Sequence, residues 1–505
     1  MSQLPDPPGP RRCVLIVLDS LNRHLLGAYG SDEFATPNLD RFAARSTRFD
    51  RHYVGSLPCI PARHDLLVGT LDFLWRPWGS IELWEQPITR HLARAKVPTM
   101  LVTDHPHLFE TGGENYHTDF MAWDYQRGHE SDPWKTRADP SWIGAPTHGR
   151  FDFPYERSRG YFGDETDFPG PKTMAAAAAW LDQSGAHHDE FLLVVDEFDP
   201  HEPFDTPEPY ASMYDDDWEG PHLIWPPYAR KAVENGVLSE REAHQVRACY
   251  GAKLTMIDHW FGRVLDALDR NGLWDDTVVI VTTDHGHYLG ERDMFGKPAA
   301  PLFETMAHIP LFVHWPGREA GAVDALTTSV DLFATIADLF DVAPTHRTHG
   351  RSLVPVLTGV ADSVRDWALA GMWGHETVVL DGTQKYVRAP AGDNAPLSLF
   401  SNRWSTMPIP GHPDVGLPPP DGRAYLDTMP DSTIPVIRQP YAAGDLLPYW
   451  AGRRFGGNHL YDLAEDPGEE RNLAGTRAEK ELVDLLHHAL DEVDAPADQY
   501  VRLGL

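Results

Sequence analysis

Short apolar runs alternate with amphipathic stretches through the first two thirds of the chain. Residues 14–18 form a β-branched, apolar run that ends on Asp19, and 97–102, 191–195, 277–281 and 309–313 repeat the pattern. Runs this short and this uniformly apolar predict strands buried on both faces, as in parallel sheets. Between them lie helical patterns. Thr36-Pro37-Asn38-Leu39-Asp40 opens one with Leu39, Phe42 and Ala43 on one side, and 172–181 carries an alanine run that favours helix by propensity. Ser239-Glu240-Arg241-Glu242 is a capping box before a long helix through Arg270, stopped by Asn271-Gly272. Its apolar positions Val246, Leu254, Ile257, Phe261 and Leu265 mark the core side. A further helix is expected around 330–340. Repeated strand and helix predict an α/β fold, a large mostly parallel sheet sandwiched by helices.

From about Met372 the texture becomes proline-rich and short-stranded. Residues 377–380 and 385–387 are hairpin candidates, and a helix over 477–493 closes the chain. The expected organisation is a catalytic α/β domain over 1–370 and a smaller C-terminal α+β subdomain over 371–505. Residues 108–170 read as a long loop rich in aromatics, including Trp123, Tyr125, Trp134, Trp142, Phe151 and Tyr155. Such loops are functional rims or aromatic-stapled surface.

The predicted strand ends carry the chemistry. Asp19 follows the first strand, at the edge where open α/β sheets bind ligands, although Asp19 or Ser20 could equally cap a helix. Thr103-Asp104-His105-Pro106-His107 follows the second strand. Asp196, Asp199, His201 and Glu202 follow the third. Thr283-Asp284-His285-Gly286-His287 follows the fourth, with Gly296-Lys297 further on. Residues 57–70 place Cys59 ahead of a short helix, with Pro61 suited to the first helical position. A helix N-terminus with Arg63 nearby favours a thiolate or a bound oxyanion. The competing reading is a buried cysteine at an ordinary helix start.

Composition narrows the function. With 75 acidic against 43 basic residues, the formal net charge of the 505-residue chain is −32. No basic face is visible to offset it, which argues against nucleic acid as a partner. A small anionic substrate meets the same repulsion and needs a locally positive site. The 42% hydrophobic content is that of a globular protein. Cys13, Cys59 and Cys249 are too few for a disulfide framework, the N-terminus lacks a signal-peptide apolar stretch, and no run is long enough to span a bilayer. A cytoplasmic protein that engages no membrane is expected, with homo-oligomerisation left open.

Cys59-x-Pro61-x-Arg63 resembles the modification signature of the sulfatase family, part of the alkaline phosphatase superfamily. Further segments match in family order: the strand ending in Asp19, Thr36 to Asp40, the helix through Asp258 and 262–265, Thr283 to Gly286, Gly296-Lys297, 309–317, and Leu460-Tyr461-Asp462-Leu463 with Asp466-Pro467 and Asn472-Leu473. The resemblance implies an alkaline phosphatase-like fold and a sulfuric ester hydrolase that cleaves a small anionic ester. Cys59 would be oxidised to formylglycine by a formylglycine-generating enzyme. Asp19, Asp284, His285 and residue 59 would hold one divalent cation, Ca²⁺ or Mn²⁺ ahead of Mg²⁺. One hydroxyl of the hydrated aldehyde would attack sulfur in line, with His201 as proton donor to the leaving alcohol and His105 as base for release. Arg63 and Lys297 would bind oxygens of the substrate and nucleophile.

Two departures stand out. Ser20 replaces the second of the paired aspartates that many members carry, and Thr103 to His107 replaces a Gly-Lys-Trp-His segment. Both resemble the phosphonate monoester and phosphodiester hydrolases of the same branch, so that activity is the alternative. A non-catalytic binding protein with an unmodified Cys59 is the alternative of another class.

Overall fold

The apolar runs assemble into one eight-stranded sheet in the computed structural model, which describes residues 9–137, 153–404, 418–445, 447 and 455–505. From edge to edge the strands are Gly321–Thr328, Thr47–Tyr53, Leu311–His314, Thr277–Thr282, Arg12–Leu18, Phe191–Glu197, Thr99–Thr103 and Ala122–Tyr125. Leu311–His314 runs against both neighbours, and the other seven share one direction. Val17 pairs with Asp196 on one side and Thr282 on the other. That register brings three strand ends flush, so the residues just past them meet.

Period-two alternation sorts side chains to two cores from runs that look uniformly apolar in sequence. Val14, Ile16 and Leu18 pack with Val246, Leu254, Ile257 and Phe261 of the 31-residue helix Glu240–Arg270. Cys13, Leu15 and Val17 pack on the opposite face with Leu66 and Leu67 of the helix Cys59–Val68 and with Leu332 and Phe333 of Val330–Leu339. Full burial of each such leucine, isoleucine or valine contributes roughly 1.5–3 kcal/mol, so strand placement is set by packing on both faces. The capping box at Ser239 and Glu242 forms as expected.

Two local readings are corrected. The helix begins at Cys59, so Pro61 is its third residue rather than its first. The first turn's N–H groups have no intrahelical acceptor, and the first backbone bond runs from Ala62 to Pro58 at 3.0 Å, so Pro61 sacrifices nothing. The span 108–170 is not all loop. It holds the edge strand Ala122–Tyr125 and the helix Phe153–Arg159, whose Tyr155 packs with Phe162, Phe168 and Trp225. Trp142 and Phe151 lie outside the described residues.

A second sheet joins the C-terminal part to the first. Its order is His459–Asp462, Gln384–Arg388, Thr377–Leu380, Ala368–Met372 and Ser56–Leu57. The 377–380 and 385–387 hairpin is present. Gly371 pairs in parallel with Ser56, and Met372 with Leu57. The chain entering Cys59 is therefore an edge strand of that sheet. The helix expected over 477–493 spans Glu479–Glu492 and packs its Leu482, Leu486 and Leu490 onto this sheet with Val379 and Tyr386, but it is not the last element, since a further helix, Ala497–Leu503, follows.

Candidate active site and metal centre

Three acids converge on one arginine where the central strands end. Asp19, Asp196 and Asp284 are all buried. Arg63, one turn into the helix that starts at Cys59, places Nη1 2.8 Å from Asp19 Oδ2 and against Asp284 Oδ2, and gives Nη2 to Asp196 Oδ1 at 2.7 Å. Its Nε also donates to Asp196. The guanidinium is thus taken up by carboxylates, where the sequence reading has it bind substrate oxygens. Asp196 was visible as a strand-end acid, but no motif marked it as Arg63's main partner.

Residue 59 faces the same group. Cys59 Sγ lies 3.4 Å from His285 Nε2 and 3.8 Å from Lys297 Nζ. One donor atom from each of Asp19, Cys59, Asp284 and His285 falls within 4.8 Å of the others. The expected helix N-terminal thiolate is not what the surroundings favour. Burial, reinforced by the Asp19 and Asp284 charges against Lys297 and Arg63, pushes the Cys59 thiol well above its usual range.

The donor set fits a cation. His285 Nδ1 donates to the Gly286 carbonyl at 2.9 Å, which leaves Nε2 as a bare lone pair, and burial lowers this imidazole to about 4 despite Asp284. Burial, and then the adjoining Asp284, raise the Asp19 carboxyl well above its normal range. Burial opposes ionisation of Asp284 too, yet His285 and Arg63 hold it well below. Asp19 Oδ2 is buried with the Arg63 guanidinium as its charge partner. Two crowded carboxylates and a neutral imidazole with a free lone pair are what a divalent ion would satisfy.

Ser20, the residue in place of a second aspartate, supports these ligands instead of joining them. Its φ of +61° turns the backbone sharply, so its N–H donates to Asp284 Oδ1 at 3.0 Å and its hydroxyl to Asp19 Oδ1 at 2.8 Å. His105 stands behind Asp19. Its Nδ1 accepts the His107 N–H at 3.2 Å, so Nε2 carries the proton and faces Asp19 Oδ2 at 3.6 Å. Burial, with Arg63 and His107 nearby, keeps His105 neutral.

Lys297 follows the strand Met294–Gly296. Gly296 has φ +69°, and a Cβ there would lie 2.2 Å from the Tyr228 ring, so glycine is required for the lysine to swing inward. Nζ reaches His201 Nε2 at 2.7 Å. His201 donates from Nδ1 to the Glu202 carbonyl at 2.7 Å and stacks on Phe198 with ring centroids 4.3 Å apart. Burial lowers this imidazole well below its usual range, against Glu202 and with Lys297. Glu202 is in turn held by Tyr228 and by His287 Nε2 at 3.2 Å. Tyr228 had no sequence signal. Asp104 and His107 lie outside the ligand cluster: Asp104 Oδ1 accepts the Phe198 N–H at 2.8 Å, and His107 pairs with Glu110 and Glu130. Among the described residues no helix is long and apolar enough to cross a membrane.

Comparison with known proteins agrees with this geometry. The sulfatase family model matches residues 11–342. The chain is 26% identical to the choline-sulfatase of Rhizobium meliloti (strain 1021) over 416 residues, covering 75% of this chain and 78% of that one. It is 29% identical to the multifunctional alkaline phosphatase superfamily protein PehA of Trinickia caryophylli over 71% of this chain and 78% of that one. The phosphonate monoester hydrolase of Agrobacterium radiobacter shares the fold, with a TM-score of 0.66 over 96% of this chain and 95% of that one at 18% identity. On the family match across both strand-end acids, the modification signature and Lys297, the chain belongs to the sulfatase family of sulfuric ester hydrolases.

Proposed function

We propose that the protein hydrolyses an organic sulfate monoester, with residue 59 in its formylglycine form and one divalent cation held by Asp19, Asp284, His285 and that residue. The observation that carries the reading is the gathering of four donors from three distant segments within 4.8 Å. Oxygen donors with a single imidazole suit Ca²⁺ or Mn²⁺. The Cys59 sulfur marks the place of the hydroxyls that the hydrated aldehyde would present. When bound, the cation supplies Lewis-acid polarisation of the ester oxygens and lowers the pKa of a hydroxyl at residue 59.

The chain's own groups do the remainder. Arg63 holds Asp19, Asp196 and Asp284 together against their mutual repulsion. Ser20 and the His285 N–H, 2.8 Å from Asp284 Oδ1, aim Asp284 at the cluster. His105 aims Asp19. Lys297 brings positive charge between residue 59 and His201, where charge spreads onto the transferring group's oxygens. His201 Nδ1–H is committed to the Glu202 carbonyl, so its Nε2, hydrogen-bonded to the Lys297 ammonium, is the nitrogen that would face the leaving alcohol, and the Lys297–His201 pair is the candidate proton donor there.

Cleavage of a phosphonate monoester or phosphodiester at the same groups is the second reading, supported by Ser20, which leaves the site one carboxylate poorer. Two measurements decide. Mass analysis of the Cys59 peptide, from a host with the modifying enzyme, should show formylglycine. Turnover of 4-nitrophenyl sulfate should exceed that of 4-nitrophenyl phenylphosphonate, and a large preference for the phosphonate overturns the sulfate assignment.

A further inference from the structure

A cleft open to solvent has Lys297 and His285 in its lining. Leu57, Pro58, Leu302, Met306 and Met372 and the stretch 298–301 wall it, with Tyr288 and His375 also in the lining. Among the described residues no carboxylate and no arginine lines it. We propose that this cleft seats the organic half of the ester, and that this half is an uncharged, largely apolar alcohol. The assignment rests on the hydrolase reading above, because it takes Lys297 and His201 to mark the side on which the alcohol departs.

Location supports the occupant. Lys297 Nζ is 2.7 Å from His201 Nε2, so the oxygen that accepts the proton sits at the cleft's polar end, and whatever is attached to it extends along the walls. The walls then select. A sugar brings several hydroxyls, and beyond Tyr288 and His375 the walls of proline, leucine and methionine offer them no partner to replace the water they lose. A fixed ammonium would find no carboxylate to pair with. An aryl or alkyl group exchanges its hydration for apolar contact, and the flexible thioethers of Met306 and Met372 adapt to its outline.

The wall is also built by tertiary pairing, which ties it to the catalytic strand. Met372 ends the strand Ala368–Met372 and lies in register with Leu57, two residues before Cys59, so its side chain is carried to the site by the C-terminal sheet. It is half-buried there and faces the cleft. Met372 touches none of the metal-site donors in the hydrogen-bonded network, which makes it a place to change the wall without changing the chemistry.

The test is binding of free alcohols to the full-length, modified protein, read by fluorescence titration of 2-naphthol and by competitive inhibition of 4-nitrophenyl sulfate turnover. The expected result is that 2-naphthol binds about tenfold or more tighter than choline or glucose, a margin one well-filled apolar pocket can supply. Met372→Asp should weaken 2-naphthol about tenfold while inhibition by inorganic sulfate stays unchanged, and Leu302→Asp should repeat the effect from the other wall should the first variant fold poorly. Equal or tighter binding of choline or glucose overturns the proposal, as does an unmoved naphthol affinity in both variants. If naphthol binding follows the expected pattern but Cys59 stays unmodified and no ester turns over, the hydrolase reading has failed and the alcohol assignment falls with it. If esters turn over but naphthol selectivity is absent, only the cleft assignment has failed.

Discussion

Lys297 Nζ lies 2.7 Å from His201 Nε2, and the same amine is 3.8 Å from Cys59 Sγ. One cation therefore touches both the residue expected to attack and the residue expected to protonate what leaves. Because His201 spends its Nδ1–H on the Glu202 carbonyl, its Nε2 is an acceptor at rest and takes a hydrogen bond from the Lys297 ammonium. Lys297→Ala and His201→Ala should each lower kcat about 10²- to 10⁴-fold, the usual range for a removed proton donor. The loss should be larger for poor leaving groups than for 4-nitrophenolate. A uniform loss across leaving groups would assign the pair to binding.

Removing Arg63 should unfold the site before it disables it. Three buried acids share this guanidinium, and breaking a buried pair from one side costs about 3–5 kcal/mol. Arg63→Ala should show a large drop in denaturant midpoint as well as loss of turnover. A variant with native stability and no activity would place Arg63 on the substrate instead.

Chelation should abolish turnover, with recovery on adding Mn²⁺ or Ca²⁺. Asp284→Asn should bind metal more weakly, read as a lower metal-to-protein ratio after dialysis. Its amide oxygen still accepts the Ser20 and His285 N–H groups, so the weakening reports the lost ligand charge. Full activity in excess chelator would rule out the cation.

Cys59→Ala should leave the fold intact and the activity absent. The side chain is buried but small, and helix entry is set by the backbone of Pro58 and the pairing of Leu57 with Met372. Retained hydrolysis in this variant would mean that another group attacks.

His107 provides a pH test away from the ligands. Burial opposes its protonation, yet Glu110 and Glu130 raise it to about 10, above an unfolded value near 6.5. The folded state therefore binds this proton more tightly, and the resulting stability is complete below about 6.5 and is lost as pH climbs towards 10. Denaturant midpoints of the wild type and His107→Gln should differ most at pH 6 and converge only as the pH passes about 10. A gap that widens with pH would contradict the ion pairing.

Much of this protein was legible in its sequence, because local rules govern what was read. Apolar runs of strand length, the capping box at Ser239 and the break at Asn271-Gly272 each report on a few consecutive residues, and they placed the sheet and its long helix. Asp19, Asp284 and His285 could be named as a group because strand ends of a parallel sheet share one edge. What the sequence could not decide was which long side chains meet there. Arg63 meets three buried acids, Tyr228 and Glu202 stand behind His201, and burial, with Asp19 and Asp284, raises the Cys59 thiol. Those outcomes depend on register between strands tens to hundreds of residues apart, on Ser20 in a left-handed conformation, and on a C-terminal strand that carries Met372 beside Leu57. Such contacts are set by packing and electrostatics summed over the whole fold, and no window of neighbouring residues contains them.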